Sequence, residues 1–307
     1  MTLAPHASTA FRLAIAQSAV TLDARHNGET IRALMAEAKS LGAKLIHFPE
    51  GSLSGYPGDP ASKRALAGWP VDWEVLAEEI ELVARQAGEL GVWVVFGANH
   101  YNGPDRRPNN TLYIVDCAGT MRARYDKRLL SLTEITDWYS AGHLAITFDV
   151  DGYRFGCALC IELQYSELFL AYEQLGVDVT LVSSYSDDPA FALLAQGHAA
   201  LNSYWVSLAV PAQFSHAAPS GLADPNGDWA VLCPSDASSR LVVVDIDRDN
   251  PSVDIAVKKR RPWRRVARQG DIYLGERGDA GSRSESESAE LSDPTRSLHC
   301  QPGGAHG

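Results

Sequence analysis

The hydrophobic pattern of the chain switches repeatedly between a period of two and a period of three to four. Residues 11–17 alternate and predict a strand. Over residues 27–41, Ile31, Leu34, Met35 and Ala38 fall on one helical face, and Gly42 suits the position just past the helix end. Residues 44–48 predict the next strand, which Pro49 closes because it has no N–H to give a ladder. A helix over 71–90 and a buried strand over 92–98 follow. Residues 110–116 and 120–125 predict a hairpin around Ala118-Gly119, and residues 145–150 and 153–159 a second one across Asp151-Gly152. Between the two hairpins, residues 129–143 read as a long irregular connection. A helix over 162–175, a strand over 177–183, a helix over 189–204 and short strands over 205–210, 213–216, 221–223, 228–232 and 240–245 complete the series.

This order implies both parallel and antiparallel pairing, hence mixed β-sheets covered by helices in one α/β domain over residues 11–274, without an internal linker. Residues 1–10 read as a flexible leader with no signal-peptide pattern. From about residue 275 the chain is rich in Ser, Glu, Gly and Arg and poor in large apolar residues, so a disordered tail is expected over 275–307.

Composition narrows the function classes. The 307 residues suffice for a sizeable core, and the net charge of −11 argues against general nucleic-acid binding. No apolar run is long enough to cross a membrane, so no membrane partner is expected. Five widely spread cysteines with no secretory signal are expected as reduced thiols in the cytoplasm. The nine histidines form no metal-binding pair, and there is neither a dinucleotide fingerprint nor a phosphate loop, so no metal or other cofactor is expected.

Three reactive residues share one setting: Glu50, Lys127 and Cys160 each follow an apolar strand at its carboxyl end. Such ends converge on the ligand crevice of α/β sheets. A carboxylate, an ammonium and a thiol there form a set for acyl transfer, with Cys160 as nucleophile, Glu50 as base, and Lys127 with the backbone N–H of Ile161 stabilising an oxyanion. Cys157, three residues before Cys160, falls on the opposite strand face and reads as core. A Cys–His dyad with His143, His198 or His216 is the competing arrangement.

The chain resembles the nitrilase superfamily, the carbon–nitrogen hydrolases, over roughly residues 11–247. Phe48-Pro49-Glu50-Gly51 with Gly55-Tyr56-Pro57, Tyr125-Asp126-Lys127-Arg128-Leu129, and Gly156-Cys157-Ala158-Leu159-Cys160-Ile161-Glu162 match its motifs in order, as do Ala14-Ile15-Ala16-Gln17 and Asp224-Pro225-Asn226-Gly227. The resemblance implies an α-β-β-α sandwich, dimers stacked into a longer four-layer arrangement, a Glu50–Lys127–Cys160 triad and no metal. It also implies that Glu134 orients the lysine and substrate.

Nitrilases proper carry Trp after the nucleophile, where this chain has Ile161, which favours cleavage of a small amide over a nitrile. Tyr56, Trp138, Tyr139, Ser184 and Tyr185 are expected to line the pocket with Ile161. A nitrilase, an N-carbamoyl amine or amino acid amidohydrolase, and a non-catalytic ligand-binding member of the same fold stand as alternatives. The basic run 258–265 reads as a solvated or subunit-contact segment in a homodimer or higher homo-oligomer, with Trp263 as a possible anchor.

Overall fold

A computed structural model describes residues 10–57 and 71–274. The leader up to residue 9, residues 58–70 and the tail from 275 lie outside the described residues. By contacts the chain forms two units, Met1–Arg261 and Pro262–Gly307.

The first unit holds two six-stranded sheets. One runs β12-β1-β2-β3-β4-β5, with β1 Phe11–Gln17, β2 Leu45–His47, β3 Trp93–His100, β4 Asn109–Val115, β5 Met121–Asp126 and β12 Arg240–Ile246. The other runs β11-β10-β9-β8-β7-β6, with β6 Thr147–Val150, β7 Tyr153–Leu159, β8 Val179–Ser183, β9 Trp205–Ala209, β10 Gly221–Ala223 and β11 Trp229–Leu232. In each sheet three central strands are parallel (β1, β2, β3 and β7, β8, β9) and the outer pairings are antiparallel. The sheets are therefore mixed, as the alternation of hairpins with strand–helix units requires.

Burial follows the pleat. On β1, Leu13 and Ile15 join the cluster between the sheets with Phe155, Leu159 and Leu181, while Ala14 and Ala16 join the cluster under helices α1 (Ala24–Ser40) and α2 (Trp73–Leu90). A third cluster lies between the second sheet and helices α3 (Ser166–Gln174) and α4 (Ala190–Asn202). The result is an α-β-β-α sandwich. A strand covered on both faces must be apolar on both faces, and each large aliphatic side chain so buried contributes about 1.5–3 kcal/mol.

Helix ends follow capping chemistry. The Asp23 carboxylate accepts from the N–H groups of Arg25 and His26, so α1 starts three residues before the expected 27. Asp72 caps α2 in the same way, and Gly91 closes it at a φ of 62°.

Four segments differ from the hydrophobic pattern. The expected helix 162–175 is split into a 3-10 turn, Cys160–Gln164, and the shorter α3, because Cys160 has a left-handed φ of 48° and Glu162 folds back onto the Leu159 N–H. The expected strand at 213–216 is instead a 3-10 turn, Ala212–Phe214, held by the Gln213 side chain against both backbone groups of Val20. The connection 129–143 contains a π-helical turn, Glu134–Trp138. Beyond β12 the chain turns helical at Ile255–Arg260 and continues into α5, Arg261–Gln269, which the hydrophobic pattern did not reveal. Of the second unit, residues 262–274 are described; Trp263 and Val266 there are exposed.

Candidate active site

Glu50 leaves β2 just after Pro49 and is fully buried. The following loop is pinned to β3: Gly97 N–H donates to Ser52 Oγ at 3.0 Å, and Leu53 N–H donates to the Gly97 carbonyl at 2.8 Å. A side chain at Gly97 would place its Cβ 2.5 Å from Gly51 N and 2.6 Å from Pro49 O, so β3 has room for the base-carrying loop only as glycine. From α1, Asn27 Nδ2 donates to the Leu53 carbonyl at 3.0 Å.

Lys127 follows β5, and its N–H donates to the Asn110 carbonyl on β4 at 2.8 Å. Its ammonium lies between two carboxylates, 3.0 Å from Glu50 Oε1 and 2.7 Å from Glu134 Oε1. Glu134 comes from the π-helical turn. Its Oε1 also accepts the Tyr56 hydroxyl at 2.9 Å, and its Oε2 accepts Ser131 N–H at 2.8 Å. The structure thus brings Glu50, Lys127 and Glu134 together.

Cys160 ends β7 in the left-handed conformation, which turns the chain sharply at the thiol. Ser184 Oγ lies 3.5 Å from its Sγ, and the Tyr185 backbone also hydrogen-bonds the thiol. Cys157 points the other way, into the core between the sheets, as the strand period requires. His198 presents Nε2 to the Leu163 carbonyl at 2.7 Å and stacks on Phe169, while His143 and His216 are exposed.

Electrostatics at the site follow from burial against one cation. Burial, aided by the Glu50 charge, pushes the Cys160 thiol up to about 12, against the pull of Lys127, Ser184 and Tyr185. Burial likewise raises Glu50 above the usual carboxylate range; Lys127 opposes this and Glu134 adds to it. Burial also pushes Glu134 upward, but Lys127, Ser131 and Tyr56 together hold it below the ordinary value. Burial disfavours the Lys127 charge, yet Glu50, Cys160 and Glu134 raise its pKa and keep it protonated.

An aromatic wall flanks these groups. Tyr56 stacks on Tyr185 with ring centroids 4.7 Å apart, Trp138 meets Tyr56 edge-on at 6.0 Å, and Tyr139 lies 6.5 Å from it. Phe214 packs edge-on against Tyr185 at 5.0 Å. Of the expected lining residues, Tyr56, Trp138, Tyr139 and Tyr185 form this cluster and Ser184 touches the thiol. Ile161 is half-buried on the turn after Cys160.

Three further residues take part that the motifs did not mark with a role. Phe214 sits in the 3-10 turn where the pattern predicts a strand. Asn110 donates from Nδ2 to Glu50 Oε1 at 2.7 Å. Glu162 was visible in the nucleophile motif, but its work was not: it accepts the N–H groups of Arg128 (2.8 Å), Leu129 (3.1 Å) and Leu159 (2.7 Å) and the Tyr125 hydroxyl (2.7 Å). One buried carboxylate so ties the Cys160 turn to the segment after Lys127. Among the described residues, no group of three or more His, Cys, Asp or Glu side chains is arranged to hold a metal ion, and no helix is long and apolar enough to cross a membrane.

Known proteins similar to this chain include amidases. A deaminated glutathione amidase from Bos taurus is 28% identical over 180 residues, which cover 54% of this chain and 53% of that protein. The chain thus spans about half the length of that relative. A chloroplastic omega-amidase from Arabidopsis thaliana is 24% identical over 294 residues, covering 86% of this chain and 74% of that one. In fold, the chain is similar to a mutant of an amidase of the nitrilase superfamily from Nesterenkonia AN1, with a TM-score of 0.70 at 22% identity over 85% of this chain and 100% of the other. Residues 12–251, which hold the two sheets, Glu50, Lys127, Glu134 and Cys160, match the carbon-nitrogen hydrolase family, and the chain belongs to that family.

Proposed function

We propose that the protein is an amidase that cleaves a small amide to a carboxylic acid and ammonia through a thioester on Cys160. The observation that carries this reading is the division of labour on Glu50. Its Oε1 is taken by Lys127 and Asn110, while its buried Oε2 has no hydrogen-bond partner among the described residues. A carboxylate with one oxygen fixed and the other uncommitted suits a general base.

The steps balance as follows. Glu50 takes the Cys160 proton as the sulfur attacks the amide carbon. The carbonyl oxygen becomes an oxyanion, stabilised by the Lys127 ammonium and the Ile161 N–H. Collapse breaks the C–N bond, and Glu50 returns its proton to the leaving nitrogen, releasing ammonia. Glu50 then takes a proton from water, whose oxygen attacks the thioester. The acid departs and the proton returns to sulfur. Glu134 fixes the Lys127 ammonium throughout and takes no proton itself, in keeping with its lowered pKa.

Amide rather than nitrile specificity rests on Ile161 in place of tryptophan, and the names of the amidase relatives favour it. The Tyr56, Trp138, Tyr139 and Tyr185 wall, with Ser184 beside the thiol, serves as the acyl pocket. Ammonia release from aliphatic and aromatic amides, nitriles and carbamoyl amines, compared with Cys160→Ala, tests the reading. Release from amides that vanishes in Cys160→Ala supports it. Turnover of nitriles but not amides would overturn the choice of substrate.

The protein acts as a homodimer in this reading. Leu193 and Leu201 on α4 are 71% and 60% exposed, eight residues apart on one face, with Gly197 open between them, a surface suited to a second helix. Light scattering that gives a monomer mass would contradict this. The four cysteines among the described residues are free, in keeping with a reducing cytoplasm.

A further inference from the structure

One buried side chain at the centre of the site is not accounted for by the triad. Asn110, on β4, is 2% exposed. Its Nδ2 donates to Glu50 Oε1 at 2.7 Å and reaches Glu134 Oε1 at 3.5 Å. Lys127 Nζ contacts the same two oxygens, at 3.0 and 2.7 Å. Two donors, one charged and one neutral, therefore sit between two carboxylates. The backbone of Asn110 also takes part, since its carbonyl accepts the Lys127 N–H at 2.8 Å. The same residue thus fixes the lysine by its main chain and the base by its side chain.

Charge balance explains why an amide suits this position. Glu50 is faced by Lys127 from the end of β5, by Glu134 and Tyr139 from the segment after it, by Tyr56 from its own loop and by Cys160 from β7. A second ammonium in place of the amide would trap Glu50 as an inert ion pair, and a third carboxylate would repel it. A neutral donor stabilises the Glu50 anion without adding charge. It also directs the interaction to Oε1, so that Oε2 is left without a protein partner among the described residues.

We propose that Asn110 is a positioning residue for the base: by sharing Glu50 Oε1 with Lys127 it holds the carboxylate so that Oε2 is the oxygen that takes the proton. This rests on the reading of Glu50 as the base. It assigns Asn110 no contact with the substrate, and it therefore requires an effect on kcat and on the pH profile with little on KM.

Two variants test it, Asn110→Ala, which deletes the donor, and Asn110→Asp, which keeps the shape and replaces the donor with a carboxylate. Two pH profiles are recorded for each, kcat/KM for amide hydrolysis and the rate of Cys160 alkylation by iodoacetamide read by mass spectrometry, together with Tm. The acid limb of both profiles is expected to move upward by about one pH unit in Asn110→Ala and further in Asn110→Asp. The fall in kcat is expected to be about tenfold or more, with KM within about threefold. Acid limbs that stay at the wild-type pH in both variants, whatever happens to Tm, would reduce Asn110 to a structural role and overturn the proposal. If Asn110→Ala does not fold, the isosteric Asp variant decides. The alkylation profile needs no turnover, so it separates failure of this proposal from failure of the amidase reading.

Discussion

Glu162 accepts the backbone N–H of Arg128 at 2.8 Å, and this contact joins the turn that carries Cys160 to the segment that carries Lys127. The same carboxylate accepts Leu129 N–H, Leu159 N–H and the Tyr125 hydroxyl, so four donors converge on one buried carboxylate. Glu162→Gln keeps the size but turns an N–H₂ toward two of those donors. Each donor left unpaired in the interior costs about 1–3 kcal/mol, so a drop in Tm of several degrees is expected. Because nucleophile and lysine lose their shared anchor, kcat is expected to fall at least about tenfold with KM little changed. Thermal denaturation and steady-state kinetics on the same preparation check both; a lowered Tm with wild-type kcat would show that Glu162 braces the fold and not the site.

Gly97 offers a steric test of the base-carrying loop. The Cβ of Gly97→Ala would press on Gly51 N and Pro49 O, both backbone atoms that cannot swing aside as a side chain can. Overpacking of this kind costs about 1–3 kcal/mol, and it displaces the loop next to Glu50. The expected outcome is a lowered Tm together with a loss of about tenfold or more in kcat/KM. Activity equal to wild type would mean that the loop tolerates displacement without moving Glu50.

The lowered pKa of Glu134 makes a stability difference that depends on pH. Burial is the largest single influence and pushes its pKa up, but Lys127, Ser131 and Tyr56 together outweigh burial and favour the carboxylate in the folded state. A carboxylate whose folded pKa lies below its unfolded value adds stability above about pH 4.3, and that stability is lost as pH falls through the folded pKa. Wild type is therefore expected to exceed Glu134→Gln in Tm by more at pH 7 than near pH 4. A gap that stays constant, or widens toward acid, contradicts the ion pairing of Glu134 with Lys127.

Sequence patterns revealed the parts of this molecule whose causes are local. Strands β1, β7 and β10 begin and end where their apolar runs do, because nearly every position is buried, Arg12 in β1 and Arg154 in β7 being the exposed exceptions. Glu50, Lys127 and Cys160 stood out because each is a reactive side chain at a strand end. Gln213 misled the pattern because its side chain, not its backbone, pairs with Val20. Asn110 was hidden for a different reason. It lies among polar residues at the start of β4, between Asn109 and Thr111, and its partners Glu50 and Glu134 are 60 and 24 residues away in the chain. Phe214 and Tyr185 likewise meet only through the second sheet's topology.

Two thiols lie three residues apart along and just past β7, and only one of them has chemistry around it. Burial raises both, but Cys157 is sealed between the sheets while Cys160 is met by Ser184 and Tyr185 and feels the charges of Glu50 and Lys127. The most direct measurement is rapid acid quench of the enzyme during turnover of a small amide, followed by tandem mass spectrometry of peptic fragments. An acyl group on Cys160, absent from Cys160→Ala, is the expected result; an acyl group on Cys157, or undiminished ammonia release from Cys160→Ala, would contradict it.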